Sequence, residues 1–130
     1  VKEAHLSYKK LLSAALKEQG ISSSPLERRF ETEWRQIGGP PYEAGFAFHP
    51  SRKWEFDCAW PAVKIALELE GGTYSSGRHV RGAGYAGDCE KYNEAALLGW
   101  FVFRLTTDML DTHTLQIERI RDYIKRELNK

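Results

Sequence analysis

The sequence predicts an α/β domain: a mixed β-sheet of about four strands flanked by helices, in the order α-α-β-β-β-α-β-α. Three observations carry this. Apolar and polar residues alternate with a period of two in segments between 43 and 70. A strand, helix, strand unit spans 63–105, and a crossover of that kind makes its two strands parallel. Apolar residues recur at helical spacing before and after these segments.

Residues 2–18 read as an amphipathic helix with Leu6, Leu12, Ala15 and Leu16 toward one side, stopped by Gly20 and the run Ser22, Ser23, Ser24. A second helix starts at Ser24-Pro25-Leu26-Glu27. Ser24 can cap it, Pro25 suits the first turn, and Glu27 sits where a capping box places its glutamate. Leu26, Phe30, Trp34 and Ile37 form its core stripe, and Gly38-Gly39-Pro40-Pro41 ends it. Strands at 43–48 and 53–58 flank a hairpin turn, His49-Pro50-Ser51-Arg52. A third strand covers 63–70 after a turn at Trp60-Pro61, and 71–87 reads as a long loop. A helix at 88–98 is capped by Asp88 and stopped by Gly99. The nearly all-apolar strand 100–105 is expected at the centre of the sheet. Ile117, Ile120, Ile124 and Leu128 mark a last helix over 115–128.

At 130 residues, with 42% apolar and 28% charged residues, the chain fits one globular domain able to bury a core without disulfides. It contains no internal repeat. No stretch approaches the roughly 20 apolar residues of a membrane span, and no signal-peptide pattern is visible. A chain beginning at Val1 is expected to be processed or trimmed. Cys58 and Cys89 lack metal-motif spacing and are expected as reduced, buried thiols, which suits a cytoplasmic protein. Net charge is +1, so no basic excess argues for nucleic acid; what matters is where charges cluster.

They cluster in "WEFDCAWPAVKIALELEGG", residues 54–72, where Asp57, Glu68 and Glu70 interrupt an apolar sheet pattern. Strand alternation puts Val63, Ile65, Leu67 and Leu69 on one face and Lys64, Ala66, Glu68 and Glu70 on the other. It groups Trp54, Phe56 and Cys58 against Glu55 and Asp57. Paired as a hairpin, the strands bring Asp57 beside Glu68 with Glu70 close by. Two carboxylates about 4 Å apart repel by about 4 kcal/mol at an effective dielectric of about 20. A fold that gathers three needs a proton, a Lys or Arg, or a divalent cation, and oxygen-only ligands select hard cations such as Mg²⁺ or Mn²⁺. The plain alternative is a solvated face of an edge hairpin neutralised by Lys64 or Arg52.

"GGTYSSGRHVRGAGYAGD" follows at 71–88, with six glycines, Arg78, His79, Arg81, Tyr74 and Tyr85. Glycines admit close backbone approach, arginines pair with phosphate, tyrosines stack on bases, and His79 can act as a base or hold a phosphate. A solvated surface loop explains the same composition. Lys91, one turn after Asp88, either reaches back toward the sheet or is an ordinary surface lysine. Glu27 either completes its cap or supplies a further ligand.

The strings "RKWEFDCAWP", "KIALELEGG", "GRHVRGAGYAGDCEKYN" and "GWFVFRLT", following an acidic helix, resemble the PD-(D/E)XK nuclease superfamily. They are similar to its small phage and bacterial endonucleases of the Vsr-like and Holliday junction resolvase-like branches. The resemblance covers about 24–107; the helices at 1–20 and 115–128 lie outside it and are natural dimer elements. It implies a restriction-endonuclease-like fold and a single nuclease domain over 1–130. It implies Mg²⁺, or Mn²⁺, on Asp57 and Glu68 with the Leu69 carbonyl as a further ligand. Glu70 stands where a lysine is commonest. Lys91 is then the candidate displaced lysine, with His79 or Arg78 next, and Glu27 matches a helix acid that some members carry.

The implied activity is Mg-dependent hydrolysis of DNA phosphodiesters in a bacterial or phage-infected cell, in recombination or repair. A junction resolvase acting as a homodimer on branched DNA comes first. A Vsr-like or restriction-type nicking enzyme, acting on a mismatched or sequence-defined duplex, comes second. An inactive DNA-binding module of the same fold comes third. A carboxylate glycosidase would need two acids about 5–10 Å apart across a sugar cleft, and only Trp54 and Trp60 offer a sugar platform.

Overall fold

The structure, a computed structural model, describes residues 24–71, 83–111 and 115–130. The helix expected at 2–18 and the loop residues Tyr74, Arg78, His79 and Arg81 lie outside the described residues. The remainder is α/β, as expected. Helix α1 (Pro25–Gln36) leads into β1 (Glu43–Ala47), β2 (Glu55–Trp60) and β3 (Ile65–Glu70), followed by α2 (Ala83–Leu97), β4 (Phe101–Thr106), a short α3 (Thr107–Asp111) and α4 (Gln116–Leu128). The strands form one mixed sheet in the order β1-β2-β3-β4. β1, β2 and β3 pair antiparallel, and β3 pairs parallel with β4 across α2. Among the described residues no helix is long and apolar enough to cross a membrane.

Local chemistry sets the boundaries. Ser24 is extended and its Oγ accepts the N–H of Glu27 at 3.4 Å, while Pro25 opens the first turn of α1. After α1 the chain folds back tightly against Trp34: a Cβ on Gly39 would lie 2.1 Å from the indole, so only glycine fits. The Trp34 and Trp60 indole N–H groups both donate to the Pro40 carbonyl, tying that turn to β2. The β1–β2 turn is held by His49. Its Nδ1 accepts from the N–H groups of Ser51 and Arg52, so Nε2 carries the proton and donates to Glu94 of α2 at 3.0 Å. Between β2 and β3 the turn is a 3₁₀ segment, Pro61–Val63, closed by Lys64 at φ 52.

Two cores flank the sheet. On one face Phe30 and Trp34 of α1 and Ile120 and Ile124 of α4 pack on Cys58, Trp60, Ile65, Leu67 and Leu105. On the other, Ala95 of α2 packs on Phe56, Ala59 and Ala66, ringed by Phe46, Phe48, Trp100 and Val102. Phe30, Trp34 and Phe56 are fully buried, each worth about 2–3 kcal/mol relative to exposure.

Several expectations are corrected. β4 is an edge strand, not a central one. Phe103 packs on Tyr123 of α4 and Trp100, just before the strand, packs on Phe46 and Phe56, while Phe101 stays half exposed beside Tyr123. α2 begins at Ala83, so Asp88 lies within the helix rather than capping it. Gly84 and Gly87 argue locally for a loop, each costing about 1 kcal/mol against alanine, but downstream packing through Ala95 carries the helix back past them. Cys89 is exposed on the outer side of α2, whereas Cys58 is buried, and both are free thiols. α3 has no counterpart in the expected order.

Strict alternation also fails in β2. Phe56 lies in the α2-side core with Ala59, while Cys58 and Trp60 lie in the α1-side core. Phe56 and Cys58 therefore do not share a face, and the strand rotates at Asp57. Across from it, between the pairs Ala44↔Cys58 and Phe46↔Phe56, stands Gly45 with φ +56, a conformation that glycine tolerates.

Candidate active site

The β2–β3 ladder ends at the pair Cys58↔Leu67. Beyond it, side chains take the place of backbone pairing. The Asp57 N–H donates to Glu68 Oε2 at 3.3 Å, and the Leu69 N–H donates to Asp57 Oδ2 at 2.7 Å. The carboxylates satisfy main-chain donors that the splayed strands leave unpaired. This is the answer to why three acids interrupt the strands: two of them stand in for a stretch of sheet.

Two helices close on this gap. From α2, Lys91 Nζ donates to Glu68 Oε1. From α1, Glu27 comes beside Asp57. Burial raises Glu27 to about 7, and the Asp57 charge adds to the rise. Glu68 is only 5% exposed and is likewise raised to about 7, first by burial and then by Asp57, with Lys91 opposing. Four elements thus deliver three acids and one ammonium group to one place.

The solvated-hairpin alternative is overturned. Glu68 is buried. Lys64 Nζ donates to the Leu98 carbonyl and Arg52 pairs with Glu90, so neither neutralises the acids.

Glu70 stands apart from the Asp57–Glu68 contact. It accepts from Arg104 Nε at 2.8 Å and from the Tyr92 hydroxyl at 3.3 Å. The described contact of Leu69 with the acids runs through its N–H rather than its carbonyl. Tyr85 is half exposed on the first turns of α2. Tyr74, Arg78, His79 and Arg81 lie outside the described residues.

Sequence reasoning missed Arg104 and Tyr92. The signal for Arg104 was present: it is the one charge in the apolar strand Phe101–Thr106, and the parallel register sets it opposite Glu68. It also missed a buried link from α1 to β2, in which the Tyr42 hydroxyl donates to Glu31 and contacts the Cys58 thiol, whose pKa burial pushes well up.

Among the described residues no three His, Cys, Asp or Glu side chains are already gathered at metal-ligand spacing. The donor chemistry nevertheless suits a hard divalent cation: Glu27, Asp57 and Glu68 offer only oxygen, and among the described residues Lys91 is the cation that touches Glu68.

No protein-family model matches the chain, and no curated protein matches it. Among solved structures, the chain is similar to the catalytic domain of the homing endonuclease I-Bth0305I. The TM-score is 0.49 at 21% identity, over 81% of this chain and 94% of that one. A likeness of this depth decides neither fold nor reaction; both rest on the residues above.

Proposed function

We propose that this chain is a divalent-metal-dependent DNA endonuclease that hydrolyses phosphodiesters and prefers branched DNA of the four-way junction type. The observation that carries the reading is the convergence of Glu27, Asp57, Glu68 and Lys91, from α1, β2, β3 and α2, on the gap between β2 and β3.

Asp57 and Glu68 would hold Mg²⁺ or Mn²⁺, with Glu27 beside them. A cation bound there supplies Lewis acidity and lowers the pKa of an attacking water. The chain's own residues do the rest. Lys91 presents positive charge where the phosphorane gains negative charge. Glu27 would take a proton from the attacking water or return one to the leaving oxygen as the P–O bond breaks.

The test is a cleavage panel with Mg²⁺ over duplex, mismatch, flap and four-way junction DNA, with Asp57→Asn as control. The reading expects Mg²⁺-dependent cleavage of the junction, a loss of at least about 100-fold in the variant, and a dimer by solution mass. Cleavage of mismatched or linear duplex by a monomer would replace the resolvase reading with a nicking enzyme. Binding of DNA without any cleavage would leave a binding module, and activity unchanged in Asp57→Asn would overturn the site.

A further inference from the structure

Glu70 and Tyr92 hold the Arg104 guanidinium by its Nε and its face. Arg104 is paired in register with Glu68 on adjacent parallel strands, so both side chains leave the sheet on the same face, with Cα atoms about 5 Å apart. Its Nε donates to Glu70 at 2.8 Å, and its guanidinium lies over the Tyr92 ring at 4.5 Å. Tyr92 in turn donates to Glu70, which closes a three-residue unit. Among the described residues none accepts from the two terminal nitrogens, and the side chain is 52% exposed. An ion pair this exposed contributes only about 0–1 kcal/mol to stability.

We infer that Arg104 is a substrate-binding residue that grips a non-bridging phosphate of the nucleic-acid strand beside the Asp57–Glu68 centre, with Glu70 and Tyr92 as its positioning residues. This rests on the nuclease reading. The guanidinium has five donors in a planar fork that suits two phosphate oxygens at once. Glu70 occupies only Nε and fixes the plane, and the tyrosine ring limits rotation. Among the described residues nothing accepts from the Nη edge, which then takes the phosphate. Glu70 thereby has a use at a position where a lysine would otherwise be expected: it orients a cation supplied by β4 instead of being one.

The experiment measures DNA binding and cleavage by wild-type protein, Arg104→Ala and Arg104→Lys. The substrates carry a neutral methylphosphonate at each phosphate in turn around the cut. The inference expects Arg104→Ala to weaken binding about tenfold and to lower the slope of log affinity against log salt by about one. It expects KM to rise more than kcat falls, with partial rescue in Arg104→Lys. One methylphosphonate position should penalise the wild type and add no penalty in Arg104→Ala. If every position penalises both proteins equally, or if the salt slope is unchanged, the inference is overturned. Because the scan reads binding as well as cleavage, the two readings separate. Protein that binds DNA but never cuts it sinks the nuclease, while Arg104 stands or falls on the scan alone. Protein that binds no DNA sinks both.

Discussion

Asp57 gives its backbone N–H to the Glu68 carboxylate and spends its own carboxylate on the N–H of Leu69, two residues from where the β2–β3 ladder stops. The two acids are therefore part of the sheet as well as the proposed cation ligands. Neutralising Asp57 should separate these roles. Asp57→Asn keeps an oxygen for the Leu69 N–H and removes the charge that raises Glu27 and Glu68. It should fold, with a melting temperature at pH 7.5 equal to or above that of the wild type, while cleavage falls by at least about 100-fold. Thermal melts and the cleavage panel check both halves.

Glu27 and Glu68 both titrate near 7 rather than near their ordinary 4.5. The folded protein therefore binds more protons than the unfolded chain between those values. Their contribution to stability is full below about pH 4.5 and is lost as pH rises through about 7. Metal-free protein should lose stability over that interval, and Glu27→Gln with Glu68→Gln should flatten the dependence. Mg²⁺ should raise the melting temperature more at pH 8 than at pH 5. Melts across pH with EDTA or Mg²⁺ measure this.

Lys91 is the described cation touching Glu68. Lys91→Met should strand a buried carboxylate and destabilise the fold by about 3 kcal/mol at pH 8, and by less at pH 5, where Glu68 is protonated. Adding Glu68→Gln should recover most of the loss. Urea denaturation of the two single variants and the double variant reads the coupling directly.

Gly39→Ala tests the turn that seats α1, and with it Glu27. The new methyl would overlap the Trp34 indole, which is 1% exposed and packed between Phe30 and Trp60. A loss of about 2–3 kcal/mol is expected by urea denaturation.

What could be read before the coordinates divides along physical lines. Asp57 meeting Glu68 followed from strand period and element order, both local properties. The same alternation misplaced Phe56 relative to Cys58: the strand rotates at Asp57, opposite Gly45 at φ +56, a pairing that the β2 sequence alone does not announce. The apolar run at 100–105 suggested a central strand, but β4 lies at the edge with Phe101 half exposed, and composition alone does not tell the two positions apart. Glu70 was legible as an acid on the face of Glu68, but not its pairing with Arg104, which lies 34 positions away and meets it through parallel register. Lys91 was left undecided because its direction depends on how α2 docks, which α2's own weakly patterned sequence does not state.

The most direct measurement of the central claim is a titration of the protein with Mn²⁺ followed by paramagnetic broadening of its amide signals. The acids of α1, β2 and β3 acting as one cation centre predict that the amides of Glu27, Asp57, Glu68 and Leu69 broaden first and together, and that Asp57→Asn abolishes this. Broadening that spares these four, or that persists unchanged in Asp57→Asn, would contradict it.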